Sequence, residues 1–193
     1  MSMTPFQLFE IWYGEAVRHP EIKDASVMAL ATADPRGRPS VRMVLLKRHD
    51  ARGMVFFTNL QSPKARDLKR NARAALCFHW GPLARQLRVE GRVVPVEDEE
   101  ADAYFATRPR LSQLGAWASK QSKPMGHRLA LAAGVAWQAA KCGPGKVPRP
   151  EHWSGYRVQP DRMEFWQEGA YRQHERVLYE KTENEWVETL LYP

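Results

Sequence analysis

Cysteine is almost missing from this sequence of 193 residues: only Cys77 and Cys142 occur. Two thiols at that spacing make neither a disulfide framework nor a metal-ligand pattern, so both are read as free. No apolar run approaches the roughly 20 residues that a membrane helix needs, and no basic segment followed by an apolar one opens the chain. The expectation is a cytoplasmic protein with no membrane partner. Also absent is any glycine-rich phosphate loop, so a phosphate here must be gripped by side chains and helix ends. There is no internal repeat, no low-complexity tract and no long run of like charge.

What is there is the balance of a soluble globular chain, with 44% hydrophobic and 26% charged residues, and the length suits one domain over residues 1–193. The formal charge of +7 calls for an anionic partner, whether nucleic acid, membrane or a phosphorylated small molecule. The basic residues are scattered from Arg18 to Lys181, which favours discrete phosphate pockets over a nucleic-acid tail.

Local chemistry orders the elements. Thr4-Pro5-Phe6-Gln7 opens a helix through a capping box, and Phe6, Phe9, Trp12 and Ala16 give it an apolar face. Residues 27–32 and 41–47 form a hairpin around the turn Asp34-Pro35-Arg36-Gly37, and 54–58 continue as a third strand. Ser62 caps a short helix running to about Asn71, with Pro63 at its first position. Strands over 74–80 and 86–96 follow, with Gly91 marking a bulge. Helices are expected over 97–107, 112–119 and 124–141, then strands near 153–158, 162–167, 176–179 and 186–191. Short strands interrupted by a helical excursion point to an antiparallel barrel with helices outside, and away from a parallel Rossmann sheet.

Three groups of residues could carry chemistry. Arg42 and Lys47 bracket an apolar strand, and Ser62 and Lys64 sit at a helix N-terminus where free amides favour an anion. Tyr104, Arg108, Arg110 and Ser112 supply phosphate-compatible donors. Trp166, Gln167, Arg172, Gln173, His174, Glu175 and Arg176 combine an aromatic, two arginines and an imidazole. Each group also reads as a bland feature: an exposed edge strand, a cap, a solvated helix end, a charged turn. His174 has no triad or metal-ligand spacing around it.

Taken in order, four stretches carry a likeness: RMVLLK at 42 to 47, FFTNLQS at 56 to 62, YFATRPRLSQLGAWASKQS at 104 to 122 and EFWQEGAYRQHER at 164 to 176. With them the chain resembles the pyridoxamine 5′-phosphate oxidase family from about Pro5 to Pro193. The resemblance implies a mainly β fold with peripheral helices, a split β-barrel of the FMN-binding type. It implies a homodimer with flavin mononucleotide (FMN) at the subunit interface, and strands from about residue 150 onward that complete the substrate site. It implies oxidation of pyridoxine or pyridoxamine 5′-phosphate to pyridoxal 5′-phosphate, with dioxygen as acceptor and hydrogen peroxide as product.

Position by position, Arg42, Met43, Val44, Leu45, Leu46, Lys47, Phe57, Thr58, Lys64, Gln86, Gln121, Ser122, Trp166 and Arg176 resemble the FMN contacts. Arg42, Lys64 and Ser122 would serve its phosphate. Lys47, Tyr104, Arg108 and Ser112 resemble the grip on the substrate's 5′-phosphate, while Arg172 and His174 lie where the family covers the pyridine ring, as catalytic residues with Arg172 orienting. The chain departs from the family's usual residues at Pro63, Phe57, Leu111 and Gln173. It also begins close to the first core helix, for which a more open site is expected. Two other functions fit parts of the pattern: a related flavin barrel acting on a phenazine precursor, and a non-enzymatic flavin or nucleic-acid binding module. The retained Lys47, Tyr104, Arg108 and Ser112 favour the B6 oxidase.

Overall fold

The structure is a computed structural model that describes residues 3–183 and 185–193. Its first helix, α1 (Pro5–Arg18), starts as its sequence dictates. Thr4 accepts from the Gln7 amide while the Gln7 side chain accepts from the Thr4 amide, and Pro5 occupies the first turn. The helix lays Phe9, Trp12 and Ala16 into the core. Two of these, Phe9 and Ala16, are fully buried.

The strands β1 (Val27–Ala33), β2 (Pro39–Leu45), β3 (Arg48–Asp50), β4 (Gly53–Asn59), β5 (Arg73–Trp80), β6 (Arg85–Pro95), β7 (Trp153–Gln167), β8 (Glu175–Lys181) and β9 (Trp186–Leu190) make one antiparallel sheet. Its main path runs β2-β1-β5-β6-β7-β4-β3, with β8 added beside β7 and β9 beside β8. The two edges of that path, β2 and β3, are consecutive in the chain, and Leu46 and Lys47 alone join them. The Leu46 amide donates to Ser26 O and the Lys47 amide to Val55 O, each at 2.8 Å. Those two residues therefore cross from one edge of the curled sheet to the other and form its seam.

β7 is the spine. It pairs with β6 from Tyr156 to Gln167, and on its other side first with β4, over Trp153–Asn59 to Val158–Met54, then with β8. Two strands expected over 153–158 and 162–167 are thus one strand of 15 residues. Pro160 lies at the register shift opposite Glu90 and Gly91, where Asp161 has no partner and the missing proline amide does little harm. Gly91 is required there, because a Cβ would collide with the Gln159 carbonyl.

Between strands lie α2 (Pro63–Arg70), capped by Ser62, and then α3 (Asp98–Thr107), α4 (Arg110–Ala118) and α5 (Ala130–Cys142). The helix expected from residue 124 begins only at Ala130, since Pro124 and Gly126 break its first two turns. β3 was not foreseen, being three polar residues long. The main core gathers Phe9, Met28, Leu30, Phe56, Phe78, Leu87, Met163 and Phe165 inside the sheet. A second cluster, Phe105, Leu114, Val147 and Trp153, sits under α3 and α4. That second cluster supports the site.

Candidate functional site

A cavity of about 500 Å³ opens where the seam, β4, α2, α3 and α4 meet. Its aromatic wall is a stack: Phe57 lies 4.2 Å from Tyr104 and 5.3 Å from Trp153, ring planes within 18° and 4°. Gly155, paired with Phe57 across the strands, leaves room for that ring, because a Cβ would stand 2.7 Å from it. The Arg108 guanidinium lies 4.7 Å over the Trp153 ring. Helix α4 gives a second wall through Ser112, Gly115, Ala116 and Ser119, which follow at the spacings that share one helix face.

The cavity's charge is one-sided. Lys47, Lys64 and Arg108 line it, with no aspartate or glutamate among the described lining residues. Burial holds the Arg108 guanidinium below its ordinary range, and its Nη1 is buried with no hydrogen-bond partner among the described residues. An orphaned, buried, charged donor is costly unless a ligand satisfies it. The Lys64 ammonium is likewise pushed down, first by burial and then by the charge of Arg42. Its Nζ donates to Thr58 Oγ1 and Gln121 Oε1, both at 3.3 Å. Arg42 stands behind Lys64, donating to Leu30 O, Thr32 Oγ1 and Ser40 Oγ, while Thr32 donates to Asp67. Burial raises the Tyr104 phenol, which keeps it a neutral donor. This donor set suits a phosphate, or two.

A second group lies at the far end of β7. Gln86, Trp166 and Arg176 occupy one row across β6, β7 and β8, and the His174 ring sits 4.7 Å from Trp166. The Gly169 amide donates to His174 Nδ1 at 3.3 Å, which makes that nitrogen an acceptor and leaves Nε2 to carry the proton in the neutral ring. Arg172 follows Tyr171, both in the left-handed region at φ 65° and 54°, a conformation that strains residues other than glycine. Arg176 donates twice to Glu164 Oε1, at 2.9 and 2.7 Å, and Arg88 donates to Glu164 Oε2 at 2.9 Å. The two groups sit towards opposite ends of the spine, at Trp153 and at Trp166.

Of the residues expected from the sequence, the cavity brings together Met43, Val44, Leu45, Lys47, Phe57, Thr58, Lys64, Tyr104, Arg108, Ser112 and Gln121. Arg42 lies just behind it. Ser122 follows Gln121 in a left-handed conformation, φ 65°. The side chain of Leu46 packs in the main core, 3% exposed. Gln86, Trp166, Arg172, His174 and Arg176 form the remote group. Sequence reasoning missed Asn59, Gly115, Ala116, Ser119 and Trp153. For three of these the helical spacing from Ser112 was the available signal, while Asn59 and Trp153 meet only through strand pairing. Among the described residues no group of three or more His, Cys, Asp or Glu could hold a metal, and no helix is long and apolar enough to cross a membrane.

Comparison with known proteins identifies the family and the fold. The family model described as pyridoxamine 5′-phosphate oxidase matches residues 15–142, and that of the pyridoxine 5′-phosphate oxidase C-terminal dimerisation region matches residues 153–193. The chain is 53% identical over 193 residues to a pyridoxine/pyridoxamine 5′-phosphate oxidase of Sphingopyxis alaskensis, covering 100% of this chain and 89% of the relative. It is 54% identical over 191 residues to one of Maricaulis maris, covering 98% and 86%. Among solved structures, PhzG from Burkholderia lata, in complex with tetrahydrophenazine-1-carboxylic acid, superposes with a TM-score of 0.93 at 33% identity, covering 100% of this chain and 94% of that one. A pyridoxamine 5′-phosphate oxidase-related, FMN binding protein from Nostoc punctiforme shares the fold, with a TM-score of 0.79 at 18% identity over 100% of both chains. By both family models and by full-length relatives, the chain belongs to the pyridoxamine 5′-phosphate oxidase family.

Proposed function

We propose that the chain, loaded with FMN, oxidises pyridoxine or pyridoxamine 5′-phosphate to pyridoxal 5′-phosphate with dioxygen as acceptor, releasing hydrogen peroxide. One observation carries the reading: the buried, unpartnered Arg108 nitrogen stands in a cavity with Lys47 and Lys64 and no acid among its described lining residues. Residues 1–193 act as one FMN-binding split-barrel domain, in which strands from about 150 to 193 complete the substrate site.

The donor set fits FMN. Arg42, Lys64 and Ser122 hold its phosphate, with Met43 to Lys47, Phe57, Thr58 and Gln121 beside it and Gln86, Trp166 and Arg176 completing the contacts. FMN, when bound, would supply the hydride acceptor for oxidation at the substrate carbon that bears the amine or alcohol. Lys47, Tyr104, Arg108 and Ser112 grip the substrate's 5′-phosphate, and charge-assisted bonds to a dianion fix where that carbon sits. Arg172 and His174 cover the pyridine ring, with Arg172 orienting it. Fixed geometry of this kind lowers barriers by as much as roughly 7–11 kcal/mol in the best model systems.

None of the remote group lines the cavity of its own chain, so a second copy supplies it and the enzyme is a homodimer. The exposed edge of β2 supports this, because Val41 and Met43 are 69% and 61% exposed beside the cavity, an apolar strip suited to a partner. The match of residues 153–193 to a dimerisation region supports it too.

The test is peroxide and aldehyde formation by FMN-loaded protein given each B6 phosphate. Turnover of either is expected, and no turnover on both rejects the reading. The likeness to PhzG favours a second substrate class, a tricyclic carboxylic acid. Turnover of a tetrahydrophenazine carboxylate alone would select it.

A further inference from the structure

We propose that Arg157 is a positioning residue whose buried guanidinium sets the gap between the two halves of the phosphate grip, Lys47 on one side and Tyr104 with Arg108 on the other. This rests on the phosphate reading of the cavity. Arg157 lies on β7 and is 5% exposed. Its Nη1 donates to Asp50 Oδ1 at 3.0 Å, and its Nη2 to Glu100 Oε1 and Oε2 at 3.0 and 2.9 Å. Asp50 ends β3, three residues after Lys47. Glu100 is on α3, four residues before Tyr104 and eight before Arg108, its C-cap, so Glu100 and Tyr104 share a helix face.

One planar fork thus ties the segment bearing Lys47 to the helix bearing the other donors. A guanidinium fixes direction as well as distance, which an ammonium does not. Each carboxylate also meets a more exposed arginine: Arg52 lies 2.7 Å from Asp50 and Arg48 lies 3.9 Å from Glu100. The opposite flank of α3 is held separately. Arg149 donates to Asp98 and Asp102, at 2.7 and 2.5 Å, and to Trp153 O at 2.9 Å. Arg149 registers the helix against the aromatic wall, and Arg157 registers it against the seam. Buried ion networks of this kind add little net stability compared with apolar residues of the same size, so fixing geometry is the better use for this one.

The experiment takes FMN-loaded wild type, Glu100→Gln and Asp50→Asn. It measures KM and kcat for pyridoxine 5′-phosphate, and the affinity for pyridoxal 5′-phosphate and for pyridoxal, which lacks the phosphate, by calorimetry. Each variant is expected to raise KM and weaken pyridoxal 5′-phosphate binding about tenfold, with kcat, flavin content and pyridoxal affinity within twofold of wild type. Equal weakening of both ligands, or a change under twofold for the phosphorylated one, overturns the inference. Asp50 is 39% exposed in its side chain, so Asp50→Asn decides the matter if Glu100→Gln fails to fold. A wild type that does not prefer the phosphorylated ligand would overturn the reading of the cavity itself, a separate result.

Discussion

The cavity cations at one end of β7 and the arginines at the other are treated in opposite ways. At the Trp153 end, Arg108 is half-buried with a nitrogen left unpartnered, and Lys47 and Lys64 beside it have no acid among the described lining residues of the cavity. At the Trp166 end, Arg88 and Arg176 close on the same buried carboxylate, Glu164. Cations without counterions wait for an anion, whereas cations already neutralised are held in place and give orientation. The cavity cations are placed for affinity, the arginines on Glu164 for geometry.

Four substitutions sharpen or break that contrast. The largest effect is expected from Arg108→Met, which keeps the packing over Trp153 but removes the charge. It should lower kcat/KM for a B6 phosphate by about a hundredfold or more, as charged hydrogen bonds are worth about 1.5–3 kcal/mol each, while leaving the melting temperature unchanged or raised. Glu164→Ala should do the reverse. Removing the shared partner of a buried network costs about 3–5 kcal/mol, visible as a lowered urea midpoint, before any kinetic effect is considered. If the stability losses were the other way round, the contrast would be wrong.

Lys64 gives an effect of intermediate size, read through pH. Burial and Arg42 depress its pKa in the folded protein, so over the alkaline window between the depressed and the ordinary lysine value the unfolded chain binds more protons. Stability of the flavin-free protein should therefore rise with pH across that window. Flavin phosphate favours the charged form, so FMN affinity should fall over the same range. Lys64→Met should flatten both trends, as followed by flavin fluorescence and thermal melts. The smallest effect is expected at Gly115, where a Cβ meets nothing within 4 Å. Gly115→Ala should stabilise α4 by up to about 1 kcal/mol and raise KM only a few-fold by entering the cavity.

Much of the fold was written locally. The Thr4–Gln7 capping box, the Ser62 cap, the hairpin about Asp34-Pro35-Arg36-Gly37 and the bulge at Gly91 each depend on neighbours a few residues apart, and the structure has all of them. The seam was not legible, because closing β2 against β3 depends on where the whole sheet curls. The site divides the same way. The face of α4 was available from helical spacing, but Trp153 meets Asn59, and Arg157 meets Asp50 and Glu100, only through long-range pairing. The individual donors at Lys47, Lys64, Tyr104 and Arg108 could be named, while the acid-free walls that give them purpose emerge only in three dimensions.

The most direct test of a site shared between copies is subunit mixing. Lys47→Ala spoils the cavity and Arg172→Ala spoils the covering loop, so each homodimer should be inactive with a B6 phosphate. Unfolded together and refolded at equal amounts with FMN, half of the dimers are mixed, and each mixed dimer carries one site with both parts intact. Activity should return to about a quarter of wild type, as two-fold symmetry requires. Activity that stays at the level of the separate variants would mean that each chain builds its site alone, and the composite site would have to be abandoned.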